Sequence, residues 1–503
     1  MNSKPTPDGH QLTDLGNAEV FSELHDERLR YVKALRQWLF WDGSLWRRDE
    51  TGEADRAAKQ TARVLLHRAA DLDDDDLHKR AVAHALASQA EPRLRAMLKL
   101  AATETQIALE VGSLDTDGFL LACPNGTLDL RTGQLRSHNP SDLISRGTSI
   151  PYDVDARCPR WEQFLAEVFN SDAELIDFVQ RAVGYSLTGD TSEQVLLICW
   201  GAGANGKSVF RKTIGRVAGD HAVTAVFDSF LRARGDRGPR NDIARLHRAR
   251  LVSASESGPE RRFDTALVKE LTGSDIVAAR FLYGEHFEFM PCFKIWLFTN
   301  HRPRVEGDDE AMWRRLRLIP FAVSFEGRED RRLSEALASE LTGILAWAVE
   351  GSLKWQRAGL VLPEAVAQAT SEYHESEDIL GAFLELLCVR EGWIDAAVLR
   401  EAFDEFCQEA GERSLSASAF GRALSRRGIT AEKRARKRSY RGVRLRSRMP
   451  ETPEVPEGSQ TPLFRAREEE VTDSNGSSGT TGTQRPPSLT NRDDSRADLA
   501  LEI

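Results

Sequence analysis

Residues 201–210 read GAGANGKSVF and lie between the apolar run VLLICW and the segment RKTIGRVAG, which has the pattern of a helix. The spacing G-x-x-x-x-G-K-[ST] is met by Gly201, Gly206, Lys207 and Ser208. Between a strand and a helix, this pattern predicts a P-loop, whose main-chain N–H groups surround phosphate oxygens. We therefore expect an α/β nucleotide-binding domain around this loop.

The two polar residues that end the motif have separate predicted roles. Lys207 is expected to reach the β- and γ-phosphates, and the Ser208 hydroxyl to ligate Mg²⁺. The alternative is a glycine-rich turn that matches the pattern by accident. The residues expected to contact the nucleotide are Gly201, Gly203, Asn205, Gly206, Lys207, Ser208 and Val209.

Composition limits the class of protein. The chain has 503 residues, a net charge of −10 and six widely spaced cysteines with no C-x-x-C pair. This argues against a disulfide framework, a zinc site and a generally basic coat protein. The N-terminus lacks an apolar signal core, so we expect no membrane partner and a location in the host cytoplasm.

The pattern changes along the chain predict a multidomain α/β protein. We expect an N-terminal extension over 1–55 with a hairpin at Asp42-Gly43, then a mainly helical region over 56–190. Alternating strands and helices over 191–350 predict the ATPase core, and FLLACPNGTLDLRTGQL predicts two short strands before it. A separate module follows over 372–447, and 448–503 has the composition of a disordered tail.

Two apolar runs after the P-loop end in polar residues. RARLVSASES ends in Glu256, an acid that could hold the Mg²⁺ shell and orient the attacking water. FKIWLFTN ends in Asn300, which could hydrogen-bond that water or the γ-phosphate. The alternatives are an exposed loop glutamate and an asparagine that only shapes a turn.

The segment DDEAMWRRLRLIPF places Arg314 and Arg315 just before another predicted strand. An arginine supplied by a neighbouring subunit stabilises charge in the transition state of phosphoryl transfer. The rival interpretation is a structural salt bridge.

Taken in order, GAGANGKS, LVSASES, WLFTN and DEAMWRRLRLIPF resemble superfamily 3 helicases, specifically the phage and plasmid primase-helicase C-terminal family with its poxvirus-type relatives. The resemblance covers about residues 110 to 447. It implies an AAA+ ATPase that assembles as a ring, usually a hexamer, with ATP and Mg²⁺ as cofactors. It also implies movement along single-stranded DNA.

The same resemblance assigns Lys207 and Ser208 to the P-loop, Glu256 to the acidic strand end, Asn300 to the sensor and Arg314, with Arg315 next, to the finger. It further implies a β-hairpin over about 278–290 that grips DNA in the ring channel. The DNA contacts expected there are Arg280, Tyr283 and Lys269. Simple exposure to solvent is the alternative for these side chains.

Three helical patterns and a basic pair of strands after residue 372 predict a winged helix. On helical geometry, Phe420 and Leu424 share one face of SASAFGRALSRRG, while Arg422 and Arg426 share another. Binding to DNA phosphates follows from this pattern, and a solvated basic loop is the alternative. The DNA-binding residues expected in this module are Arg422, Arg426, Lys433, Arg436, Lys437, Arg438 and Arg441.

These observations predict an ATP-dependent helicase of phage, plasmid or mobile-element DNA replication that acts on single-stranded and forked DNA. The first 110 residues show no pair of metal-binding carboxylates with a histidine, so we expect priming to come from a separate primase. The tail sequence QTPLF, residues 460–464, resembles a sliding-clamp-binding pentapeptide. A nucleotide-switched origin-binding initiator or loader, without processive unwinding, is the alternative function.

Overall fold

The computed structural model describes residues 9–231, 241–255, 262–280, 286–305, 309–411, 414–434 and 437–446, which form a mixed α/β protein. Glu256, Tyr283, Arg436 and the segment 448–503, with the pentapeptide at 460–464, lie outside these residues. No helix within these ranges is both long enough and apolar enough to cross a membrane.

The N-terminal part is a small sheet packed against helices. Its strands are β1 (Leu29–Val32), β2 (Gln37–Trp41), β3 (Trp46–Arg48) and β4 (Ala108–Leu109), in the order β3-β2-β1-β4. Its helices are α1 (Asp14–His25), α2 (Glu53–Ala70), α3 (Asp75–Ser88) and α4 (Glu91–Ala101). Asp42 turns the chain between β2 and β3, because its Oδ1 accepts the N–H groups of Ser44 and Leu45, each at 2.7 Å.

A three-stranded antiparallel sheet follows, where the sequence predicted two strands. It consists of β5 (Leu120–Cys123), β6 (Gly126–Asp129) and β7 (Gln134–Arg136). The third strand forms because Gly133, at φ +72°, reverses the chain and donates its N–H to the oxygen of Asp129 at 2.8 Å. All three residues of β7 are exposed, so the apolar pattern that marks a buried strand is missing there.

The central sheet has five parallel strands. They are β8 (Leu196–Trp200), β9 (Ala222–Val226), β10 (Leu251–Ser255), β13 (Lys294–Thr299) and β14 (Leu316–Pro320), in the order β14-β8-β13-β10-β9. An antiparallel hairpin of β11 (Val277–Arg280) and β12 (His286–Phe289) lies between β10 and β13 in the chain. The helices of this region are α5 (Pro159–Val168), α6 (Ala173–Leu187), α7 (Lys207–Ala218), α8 (Asn241–Ala244), α9 (Thr265–Thr272), α10 (Glu310–Trp313), α11 (Leu333–Ser339), α12 (Leu341–Ala358) and α13 (Glu364–Glu377).

Both faces of the central sheet are covered, which is why its strands read as continuous apolar runs. On one face, Leu197 and Cys199 pack with Phe210 of α7 and Trp161 of α5. On the other face, Leu196 and Ile198 belong to a second apolar cluster that includes residues of α9 and α13. The rings of Trp161 and Phe210 stack with centroids 5.7 Å apart.

Helices α6 and α12 approach unusually closely through glycine. A Cβ at Gly184 would lie 2.0 Å from the nitrogen of Ser352, and one at Gly351 would lie 2.1 Å from the oxygen of Gln180. The apolar cluster on this face continues from Leu121 of β5 to Trp355 of α12. The segment before the P-loop and the central sheet therefore share one core.

The C-terminal module has its own apolar core. Its helices are α14 (Ile379–Leu387), α15 (Ala396–Glu409) and α16 (Ala417–Arg426). Its strands are β15 (Cys388–Val389), β16 (Trp393–Asp395), β17 (Thr430–Arg434), β18 (Lys437–Arg441) and β19 (Arg444–Leu445). A three-stranded sheet forms in the order β16-β18-β17, and β15 pairs with β19. Phe383, Phe403, Phe420 and Tyr440 are buried between the helices and this sheet.

Candidate nucleotide site and nucleic-acid interface

The glycine-rich loop connects the end of β8 to the start of α7. Gly206 precedes the helix at φ +86°, a backbone conformation that side chains rarely adopt. A Cβ there would lie 2.9 Å from Val168 Cγ2. At Gly201 a Cβ would lie 2.2 Å from the main-chain oxygen of Phe321. Two of the motif glycines are thus required by the shape of the loop itself.

The side chain of Lys207 points back into the loop. Its Nζ donates to the oxygens of Gly201 at 2.7 Å and Ala202 at 2.9 Å, and to Oδ1 of Asn205 at 3.0 Å. The amide of Asn205 in turn donates to Phe321 O at 3.0 Å. Burial lowers the pKa of Lys207, which is 8 % exposed. The structure therefore holds an ammonium group inside a ring of oxygen atoms, at the point where the motif predicts phosphate.

The start of α7 completes an anion-binding geometry. The N–H of Phe210 already bonds to Gly206 O at 2.9 Å, whereas the first amides of any helix have no partner within it. Ser208 is exposed and Val209 half-buried in this first turn. A loop of this shape, with a lysine and a helix N-terminus, fits the phosphates of a nucleotide, and the Ser208 hydroxyl is a suitable Mg²⁺ ligand.

The carboxyl ends of three neighbouring strands meet beside the loop. Strand β13 lies between β8 and β10, with Thr299 opposite Trp200 and Phe298 opposite Ser255. Asn300 follows Thr299 and is exposed, and the N–H of Gly201, the first loop residue, donates to Thr299 O at 3.4 Å. Glu256 would follow Ser255 but lies outside the described residues, so its predicted place at this edge is not described.

Arg302 is a residue of this edge that the sequence reasoning missed. Its Cζ lies 4.0 Å from the ring centroid of Trp200, the residue before Gly201, and 5.8 Å from that of Tyr373. Its Nε is buried with no hydrogen-bond partner among the described residues. The only signal in the sequence is its position two residues after Asn300, and nothing in the sequence places it over Trp200.

The two candidate finger residues lie at the other end of the sheet and differ in exposure. They precede β14, whose first residue, Leu316, is opposite Leu196 at the start of β8. Arg314 is exposed. Arg315 is buried, and it donates from Nε to Thr272 Oγ1 at 3.2 Å and from NH1 to Ala311 O at 2.7 Å.

The residues predicted to grip DNA near the hairpin have different surroundings. Arg280 is half-buried at the end of β11, and its Nε has no hydrogen-bond partner among the described residues. Lys269 lies on α9, where its Nζ forms an ion pair with Asp309 Oδ2 at 2.8 Å. Tyr283 lies outside the described residues. The structure therefore brings Lys269 to an acidic partner in the same chain.

The basic residues of the C-terminal module are divided between two surfaces. Arg422 and Arg426 line a cleft of about 670 Å³ that is also lined by four carboxylates. These belong to Asp309, Glu310, Glu377 and Asp378. Lys433, Lys437, Arg438 and Arg441 are exposed on the three-stranded sheet instead, and Arg436 lies outside the described residues.

Comparisons with known proteins find one family model and several viral relatives. Residues 18–170 match the family model described as D5 N terminal like. "Putative helicase L207/L206" of Acanthamoeba polyphaga mimivirus is 28% identical over 301 residues, covering 55% of this chain and 31% of that protein. "Putative helicase 121R" of Invertebrate iridescent virus 3 is 26% identical over 307 residues, covering 54% of this chain and 32% of that protein.

The chain is also similar to a third viral protein and to one solved structure. "Putative primase C962R" of African swine fever virus is 22% identical over 299 residues, covering 54% of this chain and 31% of that protein. The apo structure of the NrS-1 C-terminal region aligns with a TM-score of 0.46 at 10% identity, over 84% of this chain and 98% of that one. The chain spans about a third of the length of the curated relatives it matches. The chain is therefore similar to viral proteins described as putative helicases and primases, and residues 18–170 are similar to the D5 N terminal like family.

Proposed function

We propose that the chain is an ATP-dependent DNA helicase of mobile-element replication, built on an AAA+ core and acting as a ring. The names of its viral relatives support a role as a replication helicase or primase-helicase. The observation that carries the proposal is the placement of its two candidate catalytic cations. Lys207 lies at the carboxyl edge of the central sheet, and Arg314 lies at the amino edge.

This separation is too large for one subunit to use both groups on one nucleotide. Strand β8 has five residues and separates the two edges by roughly 16 Å, which is longer than an arginine side chain. Arg314 therefore suits the nucleotide of a neighbouring copy. A contact that joins one edge of a subunit to the opposite edge of the next is head-to-tail, and such contacts generate a closed ring when the rotation between subunits closes and a helical filament when it does not. We propose a hexamer.

Each residue of the edge has a proposed task. ATP supplies the γ-phosphoryl group when bound. Lys207 exchanges its loop oxygens for phosphate oxygens, and Ser208 contributes its hydroxyl to Mg²⁺. Asn300, with Glu256, orients the attacking water, and Arg302 adds positive charge beside Trp200. These assignments follow the chemistry that phosphoryl transfer requires.

The C-terminal module is proposed to be a winged helix that binds DNA. The support is a core of three helices against a three-stranded sheet and a set of exposed basic side chains on that sheet. Such a surface binds the DNA backbone with strong salt dependence. The primase is proposed to be a separate polypeptide, and residues 460–464 a sliding-clamp ligand.

The first experiment is strand displacement on forked DNA with a free 3′ tail, with ATP hydrolysis recorded in the same samples. Wild type is compared with Lys207→Ala, and equal thermal unfolding of the two proteins is the control for folding. We expect DNA to stimulate hydrolysis and only the wild type to separate strands.

A different result would support the origin-binding initiator. That protein would hydrolyse ATP and bind one specific duplex sequence without separating strands. Absence of both hydrolysis and nucleotide binding by the wild type would refute the proposal as a whole.

A further inference from the structure

The exposed side of the C-terminal sheet combines an aromatic ring with arginines. Trp393, on β16, is 36 % exposed. The Cζ atoms of Arg434 and Arg441 lie 5.2 Å and 5.7 Å from its ring centroid. The sequence reasoning assigned Trp393 no role.

Strand register shows that these residues lie on one face. Trp393 on β16 is paired with Arg441 on β18, and Arg434 on β17 is paired with Lys437 on β18. Directly paired residues share a face, and residues two apart along β18 do so as well. Tyr440 points the other way, into the core, where its ring lies 6.3 Å from that of Phe420. The outer face therefore presents Trp393, Arg434, Lys437 and Arg441.

The charge of this outer face is positive despite two acids, Glu432 and Asp395, which are both paired with Ser439. Arg441 NH1 lies 3.7 Å from Glu432 Oε1, and both side chains are well exposed, at 64% and 42%. Ion pairs between exposed groups contribute little, so this contact leaves Arg441 able to exchange partners. Arg434 and Lys437 are exposed on the same face.

Helix α16, which was expected to bind DNA, is less suitably placed for contact with phosphates. Arg422 and Arg426 of α16 line a cleft that is also lined by four carboxylates, and phosphate entering there meets like charge. Arg427, next in the chain, is paired with Asp378 at 2.7 Å. The outer face of the sheet is the basic surface of this module that combines exposure with an aromatic ring.

We propose that this outer face binds single-stranded DNA, with Trp393 as a platform for one unpaired base and Arg434, Lys437 and Arg441 on its phosphates. This proposal rests on the proposed function for the identity of the nucleic acid. A cation–π contact at an exposed site is weaker than a base stacked on an aromatic ring. A base therefore displaces a guanidinium from the ring, and that guanidinium moves to the adjacent phosphate.

The test measures binding of the full chain to three fluorescent probes: a thymidine oligonucleotide, an abasic oligonucleotide of equal length and a duplex of equal length. Trp393→Leu keeps an apolar side chain but removes the aromatic face, and Trp393→Phe retains a smaller one. We expect Trp393→Leu to weaken binding of the thymidine strand roughly 5- to 150-fold. The affinity of Trp393→Phe should lie between those of the wild type and Trp393→Leu. Binding of the abasic strand should change less than 2-fold, because there is no base to stack.

The arginines are tested by salt dependence. Arg434→Gln with Arg441→Gln should reduce the slope of log affinity against log salt by about two for both single strands. The matched control is Arg331→Gln, an exposed arginine outside this module, which should leave the slope unchanged.

Several outcomes overturn the proposal. Equal losses on the thymidine and abasic strands would show that Trp393 acts without stacking. A loss on duplex as large as that on the single strand would assign the face to duplex phosphates. A lower unfolding temperature for Trp393→Leu with unchanged DNA affinity would mean that the ring only stabilises the sheet. ATP hydrolysis by the wild type without DNA, run in parallel, tests the proposed function separately.

Discussion

The N–H of Leu196 donates a hydrogen bond to the main-chain oxygen of Arg315 at 2.8 Å. This bond fixes the finger segment to the amino end of β8, while the phosphate loop begins at the carboxyl end of the same strand. The polarity of a single strand thus separates the two candidate cations. The two arginines that precede β14 also differ from each other, because Arg314 is exposed and Arg315 is buried.

Replacing Arg314 with alanine should lower the rate of ATP hydrolysis by about 10³- to 10⁵-fold, the range observed for arginine fingers. The reason is that the guanidinium stabilises transition-state charge on the nucleotide of the next subunit. Arg331→Ala, at an exposed site, is the control. Mixing Arg314→Ala with Lys207→Ala should restore part of the activity, since each variant supplies what the other lacks. Failure of every mixture to regain activity would argue against action between subunits.

Replacing Arg315 with alanine should mainly reduce stability. It removes two donors and leaves Thr272 Oγ1 and Ala311 O without them, at a cost of about 1–3 kcal/mol per unsatisfied buried group. We expect a lower urea midpoint and a normal ATPase rate per folded molecule at low temperature. A fully stable but inactive variant would instead place Arg315 in catalysis.

Replacing each of two loop glycines with alanine should have very different effects on stability and nucleotide binding. Gly201→Ala brings a methyl group to 2.2 Å from Phe321 O, a main-chain atom, so we expect loss of nucleotide binding and reduced stability. A Cβ at Gly203 meets nothing within 4 Å, so Gly203→Ala should change the free energy of unfolding by less than about 0.5 kcal/mol. Thermal unfolding with and without ATP measures both effects. Equal stability losses at the two positions would contradict the loop geometry.

Arg302→Gln should weaken nucleotide binding by about 10- to 150-fold, since a charged hydrogen bond contributes about 1.5–3 kcal/mol. The same substitution should also make binding less sensitive to salt. The measurement is titration with a fluorescent ATP analogue, with Arg331→Gln as the charge-matched control. Unchanged affinity together with lower stability would assign Arg302 to packing against Trp200 alone.

Lys294 predicts a pH dependence of stability. Its Nζ is buried among the oxygens of Thr188, Asp190 and Cys292, and burial lowers its pKa to about 7. The unfolded chain keeps this proton up to about pH 10, so it binds about one more proton than the folded chain between about pH 7 and 10. The free energy of unfolding therefore gains about 1.4 kcal/mol per pH unit there from this group.

Lys294→Met keeps the volume of the side chain and removes its titration. The difference in urea midpoint between wild type and variant should consequently shift in favour of the wild type as the pH rises from about 7 to 9. The control is Lys99→Met at an exposed site, which should give parallel pH profiles. Parallel profiles for Lys294→Met would mean that Lys294 is not neutral in the folded protein.

Local sequence was sufficient to predict the strand, loop and helix around GAGANGKS, because these residues run continuously from the end of β8 into the first turn of α7. It was insufficient where distant segments meet. Arg302 lies over Trp200, and Trp393 lies beside Arg434, through pairings that no short pattern encodes. The polar face of α16 was correctly expected at Arg422 and Arg426, which are exposed, but amphipathicity does not say which residues lie nearby, and here the cleft that they line also contains four carboxylates. The third strand of the sheet after Leu120 was missed because β7 buries no apolar residue.

The close contact through glycine between α6 and α12 limits which segments of this protein can be exchanged with those of a relative by recombination. A methyl group added at Gly184 of α6 or at Gly351 of α12 would collide with the main chain of the other helix. A chimaera joined just before the phosphate loop, with α6 from one relative and α12 from another, would need both glycines and their facing main chain to match. Genetic exchange between distant relatives should therefore transfer the span from β5 to α12 as one block, with crossovers tolerated outside it.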